Sequence, residues 1–292
     1  MNYIKPFDPW RAVVCTCPPK YNLNVYTGCA HGCIYCYSTS FIKDFYRARI
    51  KRDFLKYVRR DLKALPDGAI ITISNSSDPY QPLEEKYRYT RMFLEMVYER
   101  KEKDLGILIL TKSSRVREDV DIISRLNAVV CLTITSIESK SKIEPYASSY
   151  EDMLNVAKTL KANSVPLVIR IDPVIPFINV DEAYKILKDF RDIADHFVIS
   201  TYKARLDSFK RIALSFPNLR EKLYELYFVR GVKIGNSYYL PPKLRKELLT
   251  PFIDFCLAND LSISTCREAI SCGVKSKSCD GSHLLRLKSP AY

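Results

Sequence analysis

Short apolar runs alternate with amphipathic segments from residue 69 to about residue 200. The runs have the length and β-branched content of strands buried on both faces, and they cover 69–74, 106–112, 128–135, 165–172 and 196–201. The segments between them carry apolar residues at helical spacing, over roughly 86–101, 117–126, 149–162 and 180–192. An earlier strand at 22–27 and a helix through 45–65 add a sixth unit.

Six strand–helix units in sequence predict a parallel sheet with crossover helices. Six units are too few for a closed eight-fold barrel, so the expected α/β fold is a partial (β/α)6 TIM-type barrel over residues 1–202. After residue 203 the pattern changes to helical segments, followed by a candidate strand at 261–265. We interpret 203–292 as a helical, cysteine-containing C-terminal extension packed against the barrel.

Polar residues stand at the ends of the predicted strands, where a barrel of this kind has its active face. They are Ser74, Thr111–Lys112, Thr133–Thr135, Arg170–Asp172 and Ser200.

Composition and charge are those of a globular protein and favour a negatively charged partner. A hydrophobic share of 47% with 27% charged residues is typical of a globular chain, and no stretch approaches the ~20 apolar residues that span a bilayer. The N-terminus lacks a signal pattern, so we expect no membrane partner and a cytoplasmic location. A formal net charge of +13 favours a polyanionic partner such as nucleic acid, although the basic residues are widely spread.

The ten cysteines fall into two groups with one between them. Without a secretion signal, metal ligation is favoured over disulfides. Cys131 lies in an apolar run and is interpreted as a buried small hydrophobe. The early group is Cys15, Cys17, Cys29, Cys33 and Cys36, and the late group is Cys256, Cys266, Cys272 and Cys279.

The segment TGCAHGCIYCYS carries the strongest chemical signal, because its cysteines have C-x3-C-x2-C spacing after the first predicted strand. Three thiolates, from Cys29, Cys33 and Cys36, can hold three irons of a [4Fe–4S] cubane and leave the fourth iron open. Gly28 and Gly32 let the backbone fold closely around the cluster. The alternative is a zinc knuckle in which the adjacent His31 supplies a fourth ligand.

This loop resembles the signature of the radical S-adenosylmethionine (SAM) superfamily, in which SAM binds the open iron and is cleaved to a 5′-deoxyadenosyl radical. Further motifs in the same order resemble the branch grouped with spore photoproduct lyase, often labelled DNA repair photolyase-like. They are SDPYQPLE (77–84), YTR (89–91), LTKS (110–113), IEP (143–145) and DPVIP (172–176).

The resemblance implies a role for each matching position. Tyr35 packs near the adenine of SAM, and Lys112 and Thr135 reach its carboxylate or ribose, with Arg170 as a further candidate. The amino group of SAM is expected at the end of the second strand, beside Ser74, Asn75, Ser76 and Ser77. The resemblance also implies an external electron donor of the ferredoxin or flavodoxin type.

One departure from that branch concerns the reaction. Spore photoproduct lyase has a hydrogen-donating cysteine before its Ser-Asp pair, whereas the corresponding segment here, 74–78, has none. Repair of a thymine dimer is therefore not carried over, and the catalytic residues beyond the cluster stay unassigned.

A second metal site, for zinc or another iron–sulfur cluster, is predicted near the C-terminus. Its candidate ligands are Cys266, Cys272, Cys279 and His283, and the local CDGSH resembles the centre of the small iron–sulfur fold of that name. Free thiols are the alternative. Cys15 and Cys17 could complete this site, or lie beside the barrel mouth as redox-active or hydrogen-donor thiols.

Two functions follow from these features. The first is a radical SAM enzyme that abstracts hydrogen from a substrate, with nucleic acid or a nucleotide as the favoured class. The second is an iron–sulfur or zinc nucleic-acid-binding protein without turnover, which would not release 5′-deoxyadenosine from SAM.

Overall fold

The computed structural model describes residues 2–7, 14–100, 102–268 and 276–288 of the 292-residue chain. One eight-stranded sheet runs in the order β1-β2-β3-β4-β5-β6-β7-β10, and only β1 is antiparallel to its neighbour. The strands are β1 Ile4–Phe7, β2 Lys20–Leu23, β3 Ile70–Ile73, β4 Gly106–Thr111, β5 Ala128–Thr133, β6 Leu167–Val174, β7 His196–Thr201 and β10 Ile263–Thr265, with a separate hairpin of β8 Val232–Ile234 and β9 Ser237–Tyr239.

Helices cover the outer face of this sheet or follow it. They are α1 Phe54–Ala64, α2 Leu83–Tyr87, α3 Tyr89–Tyr98, α4 Val120–Ile123, α5 Lys140–Ile143, α6 Tyr150–Ala162, α7 Val180–Asp189, α8 Leu206–Ser215, α9 Arg220–Tyr224 and α10 Pro242–Ala258. A 3-10 turn at Ser114–Asp119 leads into α4, and a π-helical turn at Glu225–Val229 follows α9.

Alternate residues of each parallel strand face opposite layers. On β4, Ile107 and Ile109 join the large core under the helices, whereas Leu108 belongs to a second apolar cluster on the concave face. Both sides of the strand are thus removed from water, which explains why the sequence shows continuous apolar runs instead of alternation.

The C-terminal residues 276–288 fill the concave side of the sheet. Leu284, Leu285 and Leu287 pack on its apolar cluster. Gly281 adopts φ +82°, and a Cβ there would come within 2.4 Å of Val168. Since β10 pairs with β7, residues from beyond 203 belong to the same sheet as the core.

The predicted partial α/β barrel is confirmed, and the described strands form an open sheet and no closed barrel. The boundary at 202/203 stays a prediction. Within the described ranges, no helix is both long and apolar enough to cross a membrane.

Three local features differ from the sequence predictions. The helix predicted over 45–65 begins only at Phe54, because Arg49 pairs with Thr27 as a β-bridge beneath the cysteine loop. Strand β1 was not predicted, since its four residues include a proline. The β8–β9 hairpin was also missed, although its turn residues, Gly235 and Asn236, are a recognised hairpin signal.

Candidate active site

The cysteine loop, residues 28–37, follows β2 and is fixed by close backbone contacts. Gly28 has φ +76°, and a Cβ at this position would lie 2.3 Å from the carbonyl oxygen of Phe45. The amide of Cys29 donates to the same carbonyl oxygen at 2.8 Å. Any residue other than glycine would therefore displace the loop at its first cysteine.

Two side chains after β3 secure this loop. Gln81, fully buried, accepts a hydrogen bond from the amide of Ala30 at 3.0 Å and donates to the carbonyl of Gly28 at 3.1 Å. His31 lies with Nε2 3.3 Å from Oδ2 of Asp78. Burial alone would raise the pKa of Asp78, but His31 and hydrogen bonds from Lys112 and Thr111 hold it below its usual value.

Cys29, Cys33 and Cys36 line one pocket at the carboxyl ends of the strands. Cys29 and Cys33 are buried and Cys36 is half-buried. In the metal-free chain, burial raises the pKa of the Cys29 thiol to about 12. Metal binding must therefore release protons from these thiols.

Three thiols on one loop are the donor set that a [4Fe–4S] cubane takes from a protein. Among the described residues, no group of three or more His, Cys, Asp or Glu side chains is arranged to hold a metal ion. A [4Fe–4S] cluster needs no such convergence, because its three thiolates bind three different irons. The alternative zinc site with His31 is also disfavoured by the contacts of this side chain with Asp78 and the Tyr146 carbonyl.

Lys112, at the end of β4, is held by a buried carboxylate that the sequence reasoning missed. Its Nζ lies 2.7 Å from Oε1 of Glu144, and the Tyr35 hydroxyl donates to the same oxygen. Burial opposes the charge of Lys112, but Glu144 outweighs this effect and raises the pKa of the lysine. The predicted carboxylate-binding lysine is therefore charged and already has one carboxylate partner.

The residues after β3 offer unsatisfied polar groups to the pocket. The hydroxyls of Ser74 and Ser77 are buried and have no hydrogen-bond partner among the described residues. Asn75, in contrast, donates from its side chain to Asn22 and accepts from the Tyr37 hydroxyl at its carbonyl. Ser76 also lines the pocket. Orphaned buried hydroxyls are rare, so Ser74 and Ser77 fit a polar ligand such as SAM.

Of the other predicted SAM contacts, two line the pocket and one does not. Tyr35 and Arg170 line the pocket. Thr135 is fully buried and is not among the lining residues, whereas Thr133 is. Arg170 pairs with Asp172 and approaches the sulfur of Cys266 at 3.2 Å.

Thiols from both chain ends meet at the same pocket. Cys15, Cys17 and Cys266 line it, and the Cys279 thiol donates to the Cys17 sulfur at 3.4 Å. Hydrogen bonds from the Cys15 and Cys279 thiols lower the pKa of Cys17 to about 3. Next to them, Lys20 forms an ion pair with Asp280.

The predicted second metal site is only partly described. Cys272 lies outside the described residues. Nδ1 of His283 is 2.8 Å from the Ser278 hydroxyl, and the His283 ring packs edge-on against His196. The set Cys266, Cys272, Cys279 and His283 stays a prediction. Cys131, interpreted as a small hydrophobe, is buried as expected.

The sequence reasoning missed three residues that shape the site, namely Asp78, Gln81 and Glu144. Asp78 and Gln81 lie in the SDPYQPLE motif and Glu144 in IEP. A sequence signal for them was available: each is a carboxylate or amide residue that follows a strand, within a motif that the sequence analysis had already identified.

One family profile and several known proteins match this chain. The Radical SAM superfamily profile matches residues 23–190. An uncharacterized protein of Methanocaldococcus jannaschii is 32% identical over 179 residues, which are 59% of this chain and 65% of that protein. A protein of Acidianus two-tailed virus is 29% identical over 194 residues, with 59% of this chain and 63% of the relative covered. The chain thus spans somewhat less than two thirds of either relative.

Solved structures of spore photoproduct lyase share the fold. One superimposes with a TM-score of 0.66 at 16% identity, over 84% of this chain and 75% of the lyase. Another, with bound AdoMet and a dinucleoside spore photoproduct, gives 0.64 at 14% identity over the same shares of the two chains. The resemblance to this lyase therefore holds for the fold.

Proposed function

Because the chain is an enzyme of the radical SAM superfamily, we propose that it holds a [4Fe–4S] cluster on Cys29, Cys33 and Cys36 and binds SAM beside it. When bound, the cluster supplies the electron that cleaves SAM to methionine and a 5′-deoxyadenosyl radical. A substrate held in the same pocket would be the source of the hydrogen atom that this chemistry abstracts.

The observation that carries this proposal is the convergence of three kinds of group on one pocket. The cluster thiols form one wall. The unpartnered hydroxyls of Ser74 and Ser77 and the charged Nζ of Lys112 border the same space. An amino acid cofactor needs hydrogen-bond partners for its ammonium and ribose and a cation for its carboxylate.

We assign each pocket residue a role in binding SAM. Ser74 and Ser77 accept from or donate to SAM at the end of β3. Lys112 shares its charge between Glu144 and the SAM carboxylate, and Tyr35 holds Glu144 in place through its hydroxyl. The Thr135 hydroxyl is buried and influences the pKa values of Tyr35 and Glu144, so Thr135 would act through these two residues. Arg170, paired with Asp172, borders the pocket further from β3.

We propose a nucleic acid or nucleotide as the substrate. The net charge of +13 favours polyanions, and the lyase with the same fold was solved with a dinucleoside photoproduct. The same charge suits an acidic electron donor of the ferredoxin or flavodoxin type. A reducing, cytoplasmic location remains part of the proposal. A second cluster or zinc ion on the terminal cysteines remains part of the proposal.

The test is an anaerobic comparison of the wild type with Cys33→Ala. We expect about four irons per chain in the wild type if one cluster is bound, a reduced-cluster EPR signal that SAM alters, and release of 5′-deoxyadenosine under dithionite. The variant should lose the SAM-sensitive signal and the release. Cys256→Ala, at a buried position on α10, is the matched control and should keep both.

Two results would refute the proposal. The first is a wild type that binds zinc in place of iron. The second is an iron–sulfur cluster whose EPR signal is unchanged by SAM and that yields no 5′-deoxyadenosine, which would favour a binding protein without turnover.

A further inference from the structure

Six Lys and Arg side chains line the pocket, and four of them have a carboxylate partner. The pairs are Lys20–Asp280, Lys112–Glu144, Arg170–Asp172 and Lys203–Glu268. In the described part of the chain, the other two, Arg205 and Arg267, have none. Among the described residues, carboxylates thus neutralise four of the pocket cations and leave two without an acidic partner.

Arg267 follows β10 and is held in an unusual position. Its backbone has φ +58°, in the left-handed region that residues other than glycine rarely adopt. Its Nε atom is buried and makes no hydrogen bond to any described residue. Residues 269–275, which adjoin it, contain no Asp or Glu. A buried charged donor without a partner is costly, and a ligand that accepts from it would remove the cost.

Arg205 lies at the start of α8, immediately before Leu206. Its Nε donates to the Ser237 hydroxyl at 3.3 Å, and its guanidinium lies 5.9 Å from the Tyr37 ring centroid. Tyr37, Arg205 and Arg267 all line the same pocket. Both guanidinium groups thus act near Tyr37, which directly follows the cluster residue Cys36.

We infer that Arg205 and Arg267 form a subsite for a phosphate group of the substrate. This inference rests on the proposed function and specifies its substrate class. A guanidinium group presents a planar fork of donors that matches phosphate oxygens. The subsite borders the cluster loop, so a nucleotide anchored there would have its sugar or base inside the pocket.

The test uses the cluster-free protein and calorimetric titration with uridine 5′-monophosphate, uridine and inorganic phosphate. We expect the nucleotide to bind at least about tenfold more tightly than the nucleoside, as loss of a charge-assisted hydrogen bond implies. Arg205→Gln and Arg267→Gln should each weaken nucleotide binding about tenfold or more and leave uridine binding unchanged. Arg117→Gln, at an exposed position outside the pocket, removes the same charge and should have little effect.

Three outcomes would overturn the subsite. Equal affinity of the two pocket variants and Arg117→Gln would show only a diffuse electrostatic effect. Inorganic phosphate that binds as tightly as the nucleotide would indicate a site for free phosphate. Displacement of the nucleotide by SAM from cluster-loaded protein would assign the two arginines to the SAM carboxylate.

The proposed function and the subsite can fail separately. A protein that binds the nucleotide through both arginines but never releases 5′-deoxyadenosine would refute the radical mechanism alone. A protein that cleaves SAM, with all three arginine variants alike in nucleotide affinity, would refute the subsite alone.

Discussion

The cluster loop at 28–37 carries its three thiols on one short segment, whereas the terminal thiols come from opposite ends of the chain. In the loop, glycines and the Phe45 carbonyl fix the backbone around Cys29. At the terminal group, Cys17 and Cys279 are 262 residues apart, and their sulfurs lie 3.4 Å from each other. Both groups face the same pocket, but only the second brings thiols into direct contact.

This difference separates two kinds of chemistry. Thiols that bind separate irons of a cubane must stay apart, and the loop holds each one through its own backbone contacts. Thiols in contact can share a proton, form a disulfide or bind one ion. The ion pair Lys20–Asp280 ties the C-terminal residues to β2 and keeps the second group together.

The largest expected effect is the difference in 5′-deoxyadenosine release between alanine variants of the cluster-loop cysteines and an alanine variant of a terminal cysteine. Cys29→Ala and Cys36→Ala should each lower 5′-deoxyadenosine release by about 1000-fold or more, because loss of a ligand removes the redox centre. Cys17→Ala should retain the SAM-sensitive EPR signal. Iron analysis with product quantification by mass spectrometry checks this. Equal losses from all three variants would erase the distinction between the groups.

The predicted second metal site gives the next expectation. If the terminal cysteines hold zinc or a cluster, Cys33→Ala should retain that metal, and the double variant Cys33→Ala/Cys279→Ser should lose it. Elemental analysis of both proteins after anaerobic reconstitution decides the matter. A Cys33→Ala protein without bound metal would contradict the second site and leave the terminal group as free thiols.

The sequence predicted the cluster group directly, but it offered the meeting of Cys17 with the C-terminal cysteines only as one of two alternatives, for a physical reason. Cys29, Cys33 and Cys36 lie close together in sequence, so a cluster site can be inferred from twelve consecutive residues. Contact between Cys17 and Cys279 depends on how residues 276–288 fill the concave sheet, and no local pattern encodes that packing.

The same contrast applies to the rest of the fold and the site. The parallel strands of the core were predicted from hydrophobic runs, because strands buried on both faces are apolar throughout. The partners of Lys112 did not follow: Glu144 lies 32 residues away in sequence and reaches it across neighbouring strand ends. Residues whose role depends on such tertiary contacts, including Asp78 and Gln81, were the ones overlooked.

Mild oxidation should form a disulfide between the terminal cysteines but not among the cluster-loop cysteines. In metal-free protein, oxidised glutathione should link Cys17 to Cys279, since their sulfurs are in contact, and should leave Cys29, Cys33 and Cys36 as thiols. In the chain-entropy model, a cross-link that closes so long a loop is worth about 5 kcal/mol, which thermal unfolding with and without reductant would detect. Peptide mapping without reduction identifies the pair, and Cys17→Ser provides the control. Mixed disulfides within the cluster loop instead would contradict this picture.

The smallest effect concerns the ion pair that holds the terminal group. Burial alone would raise the pKa of Asp280, but Lys20 and hydrogen bonds from Ser282 lower it to about 2. The folded-state pKa lies below the value of about 3.9 for an unfolded chain, so this group stabilises the fold above about pH 4. The contribution, on the order of 2 kcal/mol, should disappear as the pH falls toward 2.

Hydrogen exchange at residues 276–288, measured between pH 6 and pH 2.5, tests this linkage. Protection there should decline as Asp280 becomes protonated. Acid also protonates Asp78 at the cluster loop, so a double variant is needed to isolate the contribution of the Lys20–Asp280 pair. The variant Lys20→Met/Asp280→Leu replaces both charges with apolar groups of similar size and so avoids an unpaired buried lysine. Its C-terminal protection should be independent of pH in this range. If the double variant kept the wild-type acid response, another carboxylate would have to fasten the terminal thiols to the sheet.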